Sequence, residues 1–183
     1  MRFADLSILT ITMAGSTVVA IPSLSCLKLP SVIQSFDAAK VGTIFQKEFC
    51  GRGCGLIPSN YETQIKPFVT KFFEDECTTM GAPTLAPYYI NMVDTMFQGA
   101  KECSGGKFRD VNLCGSENET LEEVLGCFQS SAISALWEKK ASILPLLTTN
   151  CEEQYKYFAV DNIYNNRLPA CAQMFAAENC KAA

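Results

Sequence analysis

"CGRGCG", residues 50–55, is the stretch on which the class of this chain turns. Two thiols separated by three residues, with glycine at 51, 53 and 55 and Arg52 between them, suit four roles: half a metal site, a redox pair, an anion-binding turn or a covalent corner. Zinc takes two closely spaced pairs of Cys or His ligands, but the next cysteine, Cys77, stands alone and the chain has no histidine. A catalytic dithiol prefers a two-residue spacer beside a βαβ unit, and neither is present. The glycine spacing matches no dinucleotide or phosphate loop, whereas a cross-linked corner needs the backbone freedom of glycine. The reading that remains is a disulfide staple.

The other cysteines extend that reading. Positions 26, 50, 54, 77, 103, 114, 127, 151, 171 and 180 make an even set of ten. In an oxidising compartment, Cys26, Cys50, Cys54, Cys77, Cys103, Cys114, Cys127, Cys151, Cys171 and Cys180 are expected to form five disulfides of unassigned connectivity. Cys50 and Cys54 should go to different partners, because a bridge between them would close a small, strained ring. All ten follow "MRFADLSILTITMAGSTVVA" (1–20), which has a basic start, a short apolar run and Val18 and Ala20 at the positions a signal peptidase reads. The expected organisation is a secretory signal peptide over 1–20 and a single cysteine-rich helical domain over 21–183, secreted and extracellular. The remaining chain has no uninterrupted apolar run of about 18 residues, so no stable membrane anchor is expected.

Charge narrows the partners. The net charge is −4, and removing Arg2 and Asp5 with the leader leaves that balance unchanged. Without a basic face, nucleic acid is not an expected partner.

The periodicity is helical nearly throughout, with alternating strand patterns almost absent, and predicts an all-α, disulfide-rich bundle of about six short helices. One helix is expected over 29–49, weakened at Gly42. A second follows a capping box at Ser59 and Glu62, with Pro67 delaying or kinking it. "TLAPYYINMVDTMFQGAKEC" (84–103) has the longest stripe, Leu85, Tyr88, Tyr89, Met92, Val93, Met96 and Phe97, with Thr84 as cap and Gly99 helping to end the helix. The loop 104–113 is expected on the surface. Further capping patterns at Ser116 with Glu119 and at Asn150 with Glu153 open later helices, Pro145 breaks one of them, and a last helix runs from Pro169 to Cys180.

The missing histidine removes Ser-His-Asp and Cys-His nucleophiles and His-ligated catalytic zinc. Carboxylates remain in Glu74, Asp75 and Glu76 and in the pairs Glu122-Glu123 and Glu152-Glu153, but neighbours on a helix point in different directions and read as solvated faces. No catalytic residue, metal or cofactor is expected, and the chain reads as non-enzymatic. "NET" at 118–120 makes Asn118 a glycosylation acceptor. In the long stripe, Tyr88, Tyr89, Met92, Met96 and Phe97 combine polar-tipped rings with flexible thioethers. Core packing explains such a stripe, and so does the wall of an adaptable apolar cavity.

Parts of the cysteine spacing resemble two secreted families. The 23-residue spacers 26–50 and 127–151 are similar to those of elicitins, and the spacers 50–54 and 171–180 to those of insect odorant-binding proteins. The chain follows neither family's order of cysteines, and no functional residue carries over. The first expectation is therefore a secreted interaction protein with an unknown extracellular protein partner, effector-like at a host interface. The alternative is a carrier of a sterol, fatty acid or other small apolar ligand. A carrier requires a closed apolar cavity of about 300 Å³ or more near Tyr88, Met92 and Met96, whereas an interaction protein requires a packed core and an exposed apolar patch.

Overall fold

Residues 24–34, 37–138 and 140–180 are described by the computed structural model; the expected signal peptide lies outside them. These residues contain no strand and fold as helices: α1 (Leu24–Gln34), α2 (Ala38–Ile44), α3 (Lys66–Thr79), α4 (Ala86–Glu102), α5 (Asn118–Glu138), α6 (Lys140–Thr148), α7 (Cys151–Phe158) and α8 (Leu168–Asn179). Wider π turns, Phe45–Phe49, Tyr61–Ile65 and Ile163–Arg167, extend α2 and lead into α3 and α8.

The segment expected as one helix over 29–49 is two, because Asp37 caps a new start by accepting from the Lys40 amide at 3.1 Å. Gly42 does not weaken α2. It is buried, and a Cβ there would meet Leu125 Cδ1 of α5 at 3.4 Å.

None of the three capping boxes forms. The turns Pro58–Asn60 and Tyr61–Ile65 move the start of α3 out of Ser59's range, and Pro67 sits in the first turn, where its missing N–H costs nothing. The Ser116 hydroxyl donates to the Asn112 carbonyl at 3.0 Å. Asn150 has φ 47° and donates its side-chain amide to the Gly81 carbonyl at 3.1 Å. Leu85, not Thr84, precedes α4, without a side-chain cap. Pro145 lies inside α6 and does not break it.

The corner at 50–55 is cross-linked in two directions. Cys50 bonds to Cys114 and Cys54 to Cys180, around a short 3₁₀ turn that ends at Gly53 with φ 77°. Arg52 reaches back to Glu48 at 3.3 Å. The loop 104–113 lies mostly at the surface, with Ser104, Gly105, Lys107, Arg109, Asp110 and Asn112 exposed, but two of its side chains and its backbone tie it to the interior. Phe108 and Leu113 are buried, Leu113 N donates to Leu56 O and Ser59 N to Arg109 O, both at 2.8 Å, and Asn112 Oδ1 accepts from Leu56 N at 3.1 Å.

Cys26–Cys151 ties α1 to α7, and Cys103–Cys127 ties the end of α4 to α5. The expected fifth bridge is not formed: Cys77 and Cys171 are thiols and belong to different hydrophobic clusters. The larger cluster contains Phe49, Phe68, Phe97, Val124 and Phe175; the smaller contains Cys77, Leu85, Tyr89 and Leu146.

The most extensive helix contact is α4 on α5. Gly99 does not end α4, which continues to Glu102. It lets the two helices touch: a Cβ there would lie 1.6 Å from Ser131 Oγ and 2.5 Å from Ser131 Cβ. We expect Gly99→Ala to destabilise the fold by about 1–3 kcal/mol despite the better helix propensity of alanine, and Ser131→Gly to restore much of the loss. Denaturant midpoints of the two single variants and the double variant check this; an unchanged midpoint for Gly99→Ala would contradict the close crossing.

Candidate functional site

The long stripe of α4 faces an apolar pocket that is partly enclosed and partly open to solvent, not the closed cavity expected of a carrier. Tyr89, Met92, Val93, Met96 and Phe97 line an apolar space of about 460 Å³, and Tyr88 does not, packing instead against the smaller cluster. The remaining wall comes from every other helix: Val41 of α2, Phe68 and Phe72 of α3, Ala132 of α5, Leu146 of α6, Phe158 of α7 and Phe175 of α8 are among its residues. Both hydrophobic clusters contribute, so the space lies between two partial cores.

Aromatic contacts stiffen the wall. Phe175 stacks on Phe49 at 5.0 Å and meets Phe68 edge-on at 5.2 Å, while Tyr89 stacks on Phe73 at 5.2 Å. Such pairs add to the area their rings bury, and they join α2, α3, α4 and α8 around the space.

Most polar groups in the wall are engaged with the protein; Arg167 Nε alone, among the described residues, is buried without a partner. The Tyr89 hydroxyl donates to Gln154 Oε1, and Gln154 Nε2 donates to the carbonyls of Leu146, at 2.9 Å, and Thr149. Gln154 is thus a buried polar side chain with both ends satisfied, and it fixes α7 against the α6–α7 turn. The Tyr164 hydroxyl accepts from the Asp37 amide at 2.6 Å. Arg167 places Nη1 3.3 Å from Glu76 Oε2 and its guanidinium 4.9 Å from the centre of the Tyr157 ring.

Burial pushes the hydroxyls of Tyr89 and Tyr157 well above the ordinary tyrosine value, with nearby Cys77 adding for Tyr89 and hydrogen bonding to Glu76 adding for Tyr157. Burial, with Glu76 nearby, also pushes the Cys77 thiol up to about 11 and the Cys171 thiol up to about 12. Groups raised in the folded state favour folding below their unfolded values. That contribution is lost as pH rises above about 8.5 for the thiols and about 10 for the tyrosines.

Four of the five stripe residues singled out from the sequence, Tyr89, Met92, Met96 and Phe97, therefore meet at one space. Glu76, read as part of a solvated acidic run, instead turns inward to Arg167. Glu74 and Asp75 are exposed, as are both members of the Glu122-Glu123 and Glu152-Glu153 pairs, and Glu152 bonds to Lys156 at 2.8 Å. Asn118 is exposed at the first turn of α5. Arg167, Gln154 and Phe175 escaped the sequence reading, since no local motif links a wall residue of α7 or α8 to α4. No family model, curated protein or solved structure matches the chain.

Thiol titration checks the pairing. We expect the folded protein at pH 8 to resist an aromatic disulfide reagent and to release two reactive thiols per chain in guanidinium, from Cys77 and Cys171. No thiol after denaturation would contradict the four-bridge arrangement.

Proposed function

We propose that this chain is an exported, non-enzymatic carrier of a small apolar ligand held in the cavity against α4. The observation that carries the reading is the cavity itself. Its volume of about 460 Å³ lies within the range of about 300–1,000 Å³ typical of small-molecule sites. Protein interiors are otherwise close-packed, and a protein working only through its surface gains nothing from such a void. The four disulfides fit an oxidising compartment, and the leader-like residues 1–20 fit export. Among the described residues, no helix is long and apolar enough to cross a membrane.

The surface-interaction reading keeps one observation in its favour. Leu24 and Leu27 of α1 are 75% and 64% exposed, and Leu144 of the contacting α6 is 55% exposed.

Native mass spectrometry of the protein secreted by a eukaryotic host tests the carrier reading. We expect a chain beginning at Ile21 with extra mass of lipid size that leaves on collisional activation. A chain recovered empty, and unable to take up the neutral fluorophore N-phenyl-1-naphthylamine, would remove the carrier reading and move attention to the α1–α6 face.

A further inference from the structure

The acceptor sequence at 118–120 meets a second concavity, which shares no lining residue with the apolar pocket. A groove of about 530 Å³ runs between α2 and α5, and Asn118 is one of the residues that line it. Asn118, Leu121 and Glu122 stand at i, i+3 and i+4 on α5, so they share the face that this helix turns toward α2. Gly42 and Leu121 make a buried floor, where the missing side chain of Gly42 lets α2 come close to α5. Thr43, Gln46 and Lys47 on the α2 side and Glu122 on the α5 side form a rim of donors and acceptors. The Asn118 side chain is exposed, and among the described residues no hydrogen bond ties down its amide.

Resting on the export half of the proposed function and not on the carrier half, we propose that Asn118 carries an N-linked glycan whose first sugar, an N-acetylhexosamine, lies along the α2–α5 groove. The donor is an oligosaccharide on a polyprenyl diphosphate. Asn118 Nδ2 bonds to the anomeric carbon, the bond from that carbon to the diphosphate oxygen breaks, the diphosphate leaves with the electron pair, and Nδ2 gives up one proton to base. The groove's chemistry matches that sugar. Its floor offers Leu121 to the acetamide methyl and the C–H face of the ring, and its rim offers a hydroxyl, an amide, an ammonium and a carboxylate to the ring hydroxyls. Lys47 is paired with Glu48 at 3.1 Å and Glu122 adds a negative charge, so the rim suits a neutral, hydroxyl-rich ring and disfavours an anion. Tethering supplies the rest: a sugar bonded to a lining residue has an effective concentration in the millimolar range, enough to hold a weak contact in place.

The test uses the full chain secreted in oxidised form by a eukaryotic host. It is compared with the same folded protein trimmed by an endoglycosidase to one sugar, and with Thr120→Ala, which lacks the acceptor sequence but keeps Asn118. Complete removal of the glycan from the folded protein by a peptide-N-glycosidase gives a second bare reference that does not depend on the variant folding. Intact mass should show one glycan, absent from Thr120→Ala. Amide hydrogen exchange over 38–47 should be about threefold slower in the glycosylated and one-sugar forms than in the bare ones, as for a ligand tethered at about twice its Kd, with exchange in α7 equal in all forms. Gln46→Ala combined with Glu122→Ala should keep the glycan and lose the protection. A secreted chain without glycan would overturn the proposal outright. A glycan that leaves exchange over 38–47 at the bare rate would overturn its seat in the groove. A chain retained in the cell with its leader uncleaved would remove the export reading, and the glycan with it.

Discussion

Cross-linking across long loops is the constraint on which this interior depends. An apolar pocket of about 460 Å³ leaves its wall atoms with fewer packing partners than a close-packed core provides, a loss the rest of a marginally stable domain must offset. The bridges span 24, 64, 125 and 126 residues. By loop-closure entropy each contributes about 3–5 kcal/mol, although nested loops do not add fully. The staples therefore act on the unfolded chain, and the folded chain can leave its centre open.

Where the bridges fall also matters. Cys50–Cys114 and Cys54–Cys180 draw the 50–55 corner onto the 104–113 loop and the end of α8, and Cys26–Cys151 fastens α1 to α7. The helices between these points carry the wall, and aromatic pairs such as Phe49 with Phe175 and Phe73 with Tyr89 keep it from collapsing inward. The buried polar contacts sit at the edges of the same space. Gln154 locks α7 to the turn before it, and the Glu76–Arg167 pair joins α3 to the entry of α8.

The all-helical class and the α4 stripe were legible because they rest on period and composition: apolar positions three and four apart define a face wherever the helix packs. The destinations of Cys50 and Cys54 were legible as far as ring strain decides them. What the sequence concealed depends on partners distant in the chain. Glu76 and Arg167 lie 91 residues apart, so an acidic run near a helix end looked solvated. Gly99 looked like a terminator because nothing local shows Ser131 against it. The capping patterns at Ser59, Ser116 and Asn150 are short, and neighbouring turns redirect them. Phe108 sits in a loop rich in glycine, and its burial follows from the cross-link at Cys114.

The claim that the centre is open, and not merely irregular, is tested most directly by filling it. Ala132 is buried on α5 and lines the space, and leucine is also a good helix former. In a close-packed core Ala132→Leu would cost about 1–3 kcal/mol. In this protein the account predicts a higher melting temperature for the empty Ala132→Leu variant than for the empty wild type, together with weaker uptake of N-phenyl-1-naphthylamine. A lower melting temperature with unchanged uptake would contradict it.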